Sequence, residues 1–291
     1  MAELYDLKNR IDGLKKIESM TYSMQIITIS RLKRLMQKNT RIEGCLDGAT
    51  KALSFAVRED GPPQGWGQTK NTSLFKEMVI LFCSNRGFCG LFNQEILGSA
   101  LTYLSETGLA TDQVQILGVG KKSAELGLKK RFENVRYFSP EKDTFNTNDM
   151  ESLLKIVLEA IQSGLKIRVI YYGFKSILSN AVRSEDLSPI PWGDFLKSET
   201  PQVPTYLEPD VRELTADLTI QYLYLKLLHM AFETSCSEFS QRFLIMKGAV
   251  DNVKELVEDL TLDLNKERQR MITQELSEII SSSKALKLSR R

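Results

Sequence analysis

The stretch Phe239–Leu264 reads FSQRFLIMKGAVDNVKELVEDLTLDL, and its spacing decides the fold. Phe239, Phe243, Met246, Val250, Val253, Val257, Leu260 and Leu264 recur at intervals of 4, 3, 4, 3, 4, 3 and 4. That alternation puts all of them on one stripe of an α-helix, an a/d seam of nearly four heptads that calls for a partner helix. The helix extends well beyond the seam, because the 82 residues from Asp210 to Arg291 contain no proline and a single glycine, Gly248. A helix through most of 210–288 is on the order of 110–120 Å long at ~1.5 Å per residue. The rest of the chain is too small to cover such a helix, so much of it is expected to project and pair. The N-terminal segment is the nearest candidate. Leu4, Leu7, Ile11, Leu14 and Ile17 stand three or four apart, and Met24, Ile27, Leu32 and Leu35 continue the stripe with some drift. The expected arrangement is an antiparallel pairing of the two chain ends.

Beyond Leu264 the seam loses its regularity. Asn265 to Arg270 reads NKERQR, and Met271, Ile272, Leu276, Ile279 and Ile280 then restore an apolar face. A polar belt in a long helix fits solvent, and also fits passage through a ring of partner subunits. The middle of the chain is different. All 8 prolines lie between Pro62 and Pro209. Short apolar runs at 78–83 (MVILFC), 114–119 (VQILGV) and 167–174 (IRVIYYGF) alternate with helical stretches near 93–105, 123–130 and 149–162. Strand–helix alternation of this kind predicts βαβ units and a mostly parallel sheet. The fold class is therefore α/β: an antiparallel coiled coil of long terminal helices plus a Rossmann-like open-sheet domain. The loop Asp60–Thr72, with GPPQGWGQ inside it, sets the first boundary, and prolines 189, 191, 201, 204 and 209 mark an irregular return path. The division is 1–59, a coiled-coil helix; 60–209, the α/β domain; and 210–291, the second long helix.

Composition excludes several classes of function. With 291 residues, 42% hydrophobic and 26% charged, the chain is neither a low-complexity segment nor a disulfide scaffold. Its 4 cysteines are scattered, and its single histidine, His229, sits in an apolar helical stretch without acidic neighbours close in sequence, so neither a Cys/His metal site nor histidine-based catalysis is expected. No apolar run reaches membrane-spanning length, and MAELYDLKNR has neither signal- nor transit-peptide character. The net charge of +2 is unevenly placed. Between Glu18 and Glu43 the only charged residues are Arg31, Lys33, Arg34, Lys38 and Arg41, and Lys284, Lys287, Arg290 and Arg291 make a basic tail. Such runs read as solvated faces or as surfaces steered toward an acidic partner. A nucleic-acid role is weak, because apart from Tyr22 the stripe lacks interleaved aromatics.

No catalytic constellation is visible. LGVGKKS at 117–123 lacks the Walker glycine, with Gln115 in its place, and Lys122 stands where Ser or Thr should follow the lysine. SNRGFCGLFN at 84–93 follows an apolar strand, yet its glycines do not form GxGxxG, so a structural strand-to-helix turn is expected. No catalytic residue, cofactor site or metal ligand is assigned. An enzyme that uses a nucleotide in the α/β domain is the reading from another class, and the missing phosphate loop and acid–base pair argue against it.

Three blocks nevertheless resemble one family. Thr21, Met24, Ser30, Arg31 and Leu32 follow the pattern IT-K-A-M with SKL or SKM, and Ser84–Gly90 with Phe92 and Asn93 looks like S-D-R-G-L-C-G-G-F-N. Met246, Lys247, Asp251 and Asn252 resemble MK-x-A-T-DN, and 265–279 matches NKARQ-x-x-ITQEL-x-EI. Over nearly its whole length the chain resembles the γ subunit of F-type ATP synthases, as a divergent bacterial member. The resemblance implies a non-catalytic rotor shaft, one copy per complex, without cofactor. It would transmit torque between the membrane c-ring and the catalytic β subunits, coupling ion translocation to ATP synthesis or hydrolysis. The alternative is the shaft of a divergent F-type-related ATPase devoted to hydrolysis-driven pumping or other mechanical work.

The implied partners are the α and β subunits of the hexamer, the ε subunit and the c-ring, with no nucleic acid and no direct membrane insertion. The implied location is peripheral, on the cytoplasmic face of the bacterial inner membrane. By the same resemblance Arg268 and Gln269 match positions that hydrogen-bond to a β-subunit loop. Thr273 and Glu275 lie just beyond, Met24 falls near the β lever region, and Arg31, Lys33 and Arg34 would meet the hexamer's acidic surface. The departures are Tyr22 for the family's lysine, Ser23 for its alanine, Leu91 for the second glycine of the turn, and SSSKAL followed by the basic tail in place of a small apolar tip.

Overall fold

A computed structural model describes residues 2–63, 66, 75–142, 144–197 and 211–288. Most of the 60–72 loop, prolines 201, 204 and 209, the side chains of Lys284 and Lys287, and Arg290 and Arg291 lie outside the described residues. The order of elements is α1 (Ala2–Asp60), β1 (Glu77–Phe82), α2 (Phe92–Thr107), β2 (Val114–Val119), β3 (Asn134–Phe138), α3 (Thr147–Gln162), β4 (Lys166–Phe174), β5 (Asn180–Ser188), α4 (Trp192–Lys197) and α5 (Val211–Leu288). The terminal helices are 59 and 78 residues long, as the absence of proline from both ends predicts. The chain divides into two compact units, Met1–Ile27 with Phe243–Arg291 and Thr28–Arg242.

In the larger unit the sheet order is β3-β2-β1-β4-β5, parallel except for β5. Side chains alternate across β1. Met78, Ile80 and Phe82 join one cluster with Met150, Leu153 and Val157 of α3, Leu53 and Val57 of α1, and Leu223 and Leu227 of α5. Val79 and Leu81 join a second cluster with Phe92, Ile96 and Ala100 of α2. Because helices cover both faces, β1 is apolar throughout 78–82, a continuous run after the buried Glu77. Each fully buried Leu or Ile here contributes about 1.5–3 kcal/mol. A third cluster joins Leu32 and Leu35 of α1 to Phe232, Cys236 and Phe239 of α5. Residues 32–35 thus match 232–239 while 53–57 match 223–227, so α1 and α5 run antiparallel.

Several local features depart from the sequence reading, among them strand β3, which no apolar run marks. The expected helix at 123–130 is two 3₁₀ segments, Lys121–Leu126 and Leu128–Lys130, parted by Gly127 at φ 65°. Strand β5 went unrecognised because NAVRSEDLS is an exposed antiparallel edge, where charged residues are suited to blocking further pairing. Helix α3 begins at Thr147, ahead of the 149 read from its apolar spacing. A capping box fixes this start: the Asn146 side chain accepts from the Asp149 N–H at 2.8 Å, and the Asp149 carboxylate accepts from the Asn146 N–H at 3.1 Å.

In the smaller unit the seam of α5 turns inward as expected, with Met246 and Val250 buried and Val253, Val257, Leu260 and Leu264 half-buried. Helix α1 differs from the expected stripe. Apart from Gly13, its less exposed positions up to Gln25 are Leu4, Leu7, Ile11, Leu14, Glu18, Thr21 and Gln25, an alternation of three and four. Ile17 is 52% exposed and Ile27 is 55% exposed. Keeping strict heptad spacing draws in polar residues after Leu14, whereas the apolar residues there follow a different stripe.

Candidate functional site

Each position carried over by resemblance is on the surface. In the smaller unit Met24, Arg268, Gln269, Thr273 and Glu275 are exposed, and in the larger unit Arg31, Lys33 and Arg34 are exposed. The belt NKERQR is mostly satisfied along its own helix. Arg270 grips Glu267 through Nε–Oε2 at 2.8 Å and Nη2–Oε1 at 2.6 Å, and Lys266 reaches Asp263 at 3.2 Å. The hydrogen bond from Arg270 holds the Glu267 carboxyl below its ordinary pKa. The Thr273 hydroxyl donates back to the Gln269 carbonyl at 2.9 Å. Arg268 and the Gln269 side chain have no hydrogen-bond or ion-pair partner among the described residues. Beside them Ile272, Leu276, Ile279 and Ile280 are 48–64% exposed. Ile17, Met20, Met24 and Ile27 form a second exposed stripe on α1. Contiguous exposed apolar residues on a helical surface mark an interaction site.

A buried polar hub escaped the sequence reading. Residues 231–240 of α5 are buried all round, and small side chains such as Ala231, Ser235, Ser237 and Ser240 allow neighbours to approach closely. The Ser240 hydroxyl donates to the Ile177 carbonyl at 2.6 Å, and the Ser237 hydroxyl to the Tyr172 carbonyl at 3.5 Å. Glu238 accepts from the Asn85 backbone N–H at 3.2 Å and from Arg242 Nη2 at 2.6 Å. Arg242 also donates to the carbonyls of Gly87 and Arg86, at 3.0 and 3.2 Å. Burial pushes the Glu238 carboxyl above its ordinary pKa, and Arg242 works against that shift.

The turn at 84–93 is therefore a clamp held from α5 and from within. Asn93 closes it by accepting from the Ser84 N–H and donating to the Ser84 hydroxyl, both at 2.8 Å. Phe88 adopts φ 60°, an uncommon conformation for a side chain other than glycine, and is 70% exposed. The LGVG run has a structural role as well. A Cβ on Gly120, at φ 108°, would lie 2.4 Å from the Cys83 carbonyl oxygen, so only glycine fits. Burial pushes the thiols of Cys83 and Cys236 up to about 12, which leaves them poor nucleophiles at neutral pH.

His229 needs correction. An acid, Glu233, lies one helical turn further on; it is buried, and its carboxyl is pushed up by burial and pulled down by His229 and Arg183. Spacing of i, i+4 was the signal that could have found the pair. The Glu238–Arg242 pair shares that spacing, but its third partner lies 153 residues away in sequence.

Comparison with known proteins adds a family. A family model described as ATP synthase matches residues 3–286. The ATP synthase gamma chain of Syntrophobacter fumaroxidans is 28% identical over 291 residues, covering 99% of this chain and 100% of its own. The gamma chain of Salinibacter ruber is 27% identical, covering 98% and 99%. Among solved structures, a chain of the Euglena gracilis mitochondrial ATP synthase, from an OSCP, F1 and c-ring assembly, is similar in fold. Its TM-score is 0.69 at 18% identity, covering 100% of this chain and 96% of that one.

Proposed function

This chain belongs to the ATP synthase family, and on that premise we propose that it is the central-stalk rotor shaft of an F-type ATP synthase. The shaft transmits torque between a membrane c-ring and catalytic β subunits, so that ion translocation is coupled to ATP synthesis or hydrolysis. Its relatives are gamma chains along their full length, and the fold is that of a chain from an ATP synthase assembly. The observation that carries the reading is the surface of the smaller unit. Beside its heptad seam, large apolar residues stay exposed at Ile17, Met20, Met24 and Ile27 and again at Ile272, Leu276, Ile279 and Ile280. Such stripes suit a surrounding ring of subunits that meets a different part of the shaft in each rotary state, which is the differential contact a coupled change requires.

The functional division at 1–59, 60–209 and 210–291 belongs to the same proposal, as does a chain that performs no catalysis itself. The partners are the α and β subunits, the ε subunit and the c-ring, with one copy per complex. No helix among the described residues is long and apolar enough to cross a membrane, which agrees with a peripheral place on the cytoplasmic face of the bacterial inner membrane. Arg268 and Gln269 would bond a β-subunit loop, with Thr273, Glu275 and Met24 in the same zone. Arg31, Lys33 and Arg34 would face acidic surface. The second reading, a shaft for hydrolysis-driven pumping or other mechanical work, draws on surface departures from the family pattern: Tyr22 is 54% exposed and Leu91 60%.

Native purification tests the reading. Copurification with α, β and ε subunits and a c-ring is the expected result; a chain that runs alone and binds nucleotide tightly refutes it. In the assembled complex, Arg268→Ala with Gln269→Ala is expected to lower ATP-driven proton pumping at least severalfold. Unchanged pumping would show that these contacts do not couple.

A further inference from the structure

The sheet of the larger unit ends in two unlike edges, β3 and β5. Strand β5 carries charges of both signs, and each is matched: Arg183 to Glu233, Glu185 to Lys226 and Asp186 to Arg168. Strand β3 carries one charge, Arg136, among the large apolar residues Val135, Tyr137 and Phe138. It packs chiefly against β2 and the two 3₁₀ segments before it, and its far side pairs with no strand among the described residues. The Phe138 carbonyl accepts from the Gly120 N–H at 2.8 Å, on the β2 side. Backbone groups along a strand alternate sides with period two, so the N–H and C=O of Val135 and Tyr137 face outward. Such groups are a ready template for one more strand.

We propose that β3 is the docking edge for an extended segment of a partner protein in which acidic and apolar residues alternate. The two faces of the edge differ accordingly. Val135 and Tyr137 are half-buried against the cluster on the α2 side, and they offer an apolar ledge to every second residue of an added strand. Arg136 is in register with Leu117, which belongs to the opposite cluster. Its exposed side chain therefore stands on the other face, where an acidic residue of the added strand sits across from it. Backbone hydrogen bonds supply affinity in such an arrangement, and the alternating side chains supply specificity.

Charge narrows the choice of partner. Residues 129–138 read KKRFENVRYF, four basic and one acidic. Lys129, Lys130, Arg131 and Arg136 are exposed, and none has an ion-pair partner among the described residues. Lys129 is already placed at the edge, with its Nζ 5.6 Å from the centroid of the Tyr137 ring. The matched charges of β5 select no strand by sign, whereas the uncompensated charges beside β3 favour an acidic one. A second copy of this chain is the poorer fit, because two β3 edges would set like charges across from each other.

None of these residues belongs to the proposed β-subunit contacts, so a failed test here leaves the shaft reading standing. The full-length chain is titrated into a fluorescently labelled octapeptide of alternating glutamate and valine at physiological ionic strength, and anisotropy is read. Saturable binding at one site per chain is expected. A fully N-methylated peptide keeps the charge and loses every backbone donor, and it should bind roughly tenfold more weakly or worse. Lys129→Gln with Arg136→Gln should weaken the unmodified peptide by a similar factor. Both side chains are exposed, so the double variant should melt with the parent. Absence of saturable binding overturns the docking edge. Equal binding of the N-methylated peptide overturns it in favour of a surface that attracts charge without pairing strands. Unchanged affinity in the double variant places the peptide elsewhere and overturns it as well. A dimer seen by light scattering that competes with the peptide overturns it in favour of a second copy of the chain.

Discussion

Within α5, residues 231–240 are buried on every side, while residues 268–280 are exposed except at Met271. Composition would have ordered them the other way. The buried segment, AFETSCSEFS, holds two glutamates and four serines or threonines, whereas the exposed one holds Ile272, Leu276, Ile279 and Ile280. Burial here follows what surrounds the helix. Strand β4, the turn at 84–93 and α1 close on the first segment, and Ser237 and Glu238 find hydrogen-bond partners there. The second segment displays apolar surface that nothing among the described residues covers. The first is expected to govern stability, the second partnership.

The sharpest way to break that contrast is at Arg242. Replacing it with methionine strands the Glu238 carboxylate and should cost about 3–5 kcal/mol, the usual penalty for halving a buried ion pair. The pH dependence follows from the raised pKa of Glu238, which rises further without Arg242. A carboxyl raised in the folded state disfavours folding increasingly as pH climbs from the ordinary carboxylate range through the folded value. The deficit of Arg242→Met relative to the parent should therefore grow over that interval in urea titrations. Adding Glu238→Gln should remove most of the growth; a pH-independent deficit would show that the pair's charge is not what matters.

Gly120→Ala comes next, with a loss of about 2–3 kcal/mol in the same titrations, since the residue must hold a positive φ against the Cys83 carbonyl. Asn146→Ala should cost ~1 kcal/mol by opening the capping box, and Asn146→Ser should restore most of it. The smallest stability effect belongs to the exposed segment. Leu276→Ser should change unfolding free energy by less than about 0.5 kcal/mol. The same change should weaken association with a purified hexamer of α and β subunits. A large loss of stability instead would mean that this stripe is packed within the chain.

Much of the fold was legible because periodicity is a local property. The eight-residue seam, the two proline-free helices and three parallel strands could be read without knowing any neighbour. Strand β5 could not, since a charged edge strand carries no apolar alternation. Nor could the inward turn of Glu18, Thr21 and Gln25 be read, because hydrophobicity pointed to Ile17, Met24 and Ile27 and helix geometry prevailed. For the candidate site, the motif at 265–279 falls on largely exposed helix surface. The Glu238 hub stayed hidden, because its meaning depends on a backbone N–H 153 residues away.

By itself the sequence determined that both ends of this protein are long helices, that one carries a heptad seam, and that an α/β body lies between them. Those properties come from spacing and from the placement of proline and glycine, which act within a few residues. The tertiary structure decided which apolar residues are left exposed and which carboxylates are buried. These depend on segments distant in the chain meeting in space, and desolvation and charge are set by whatever they meet.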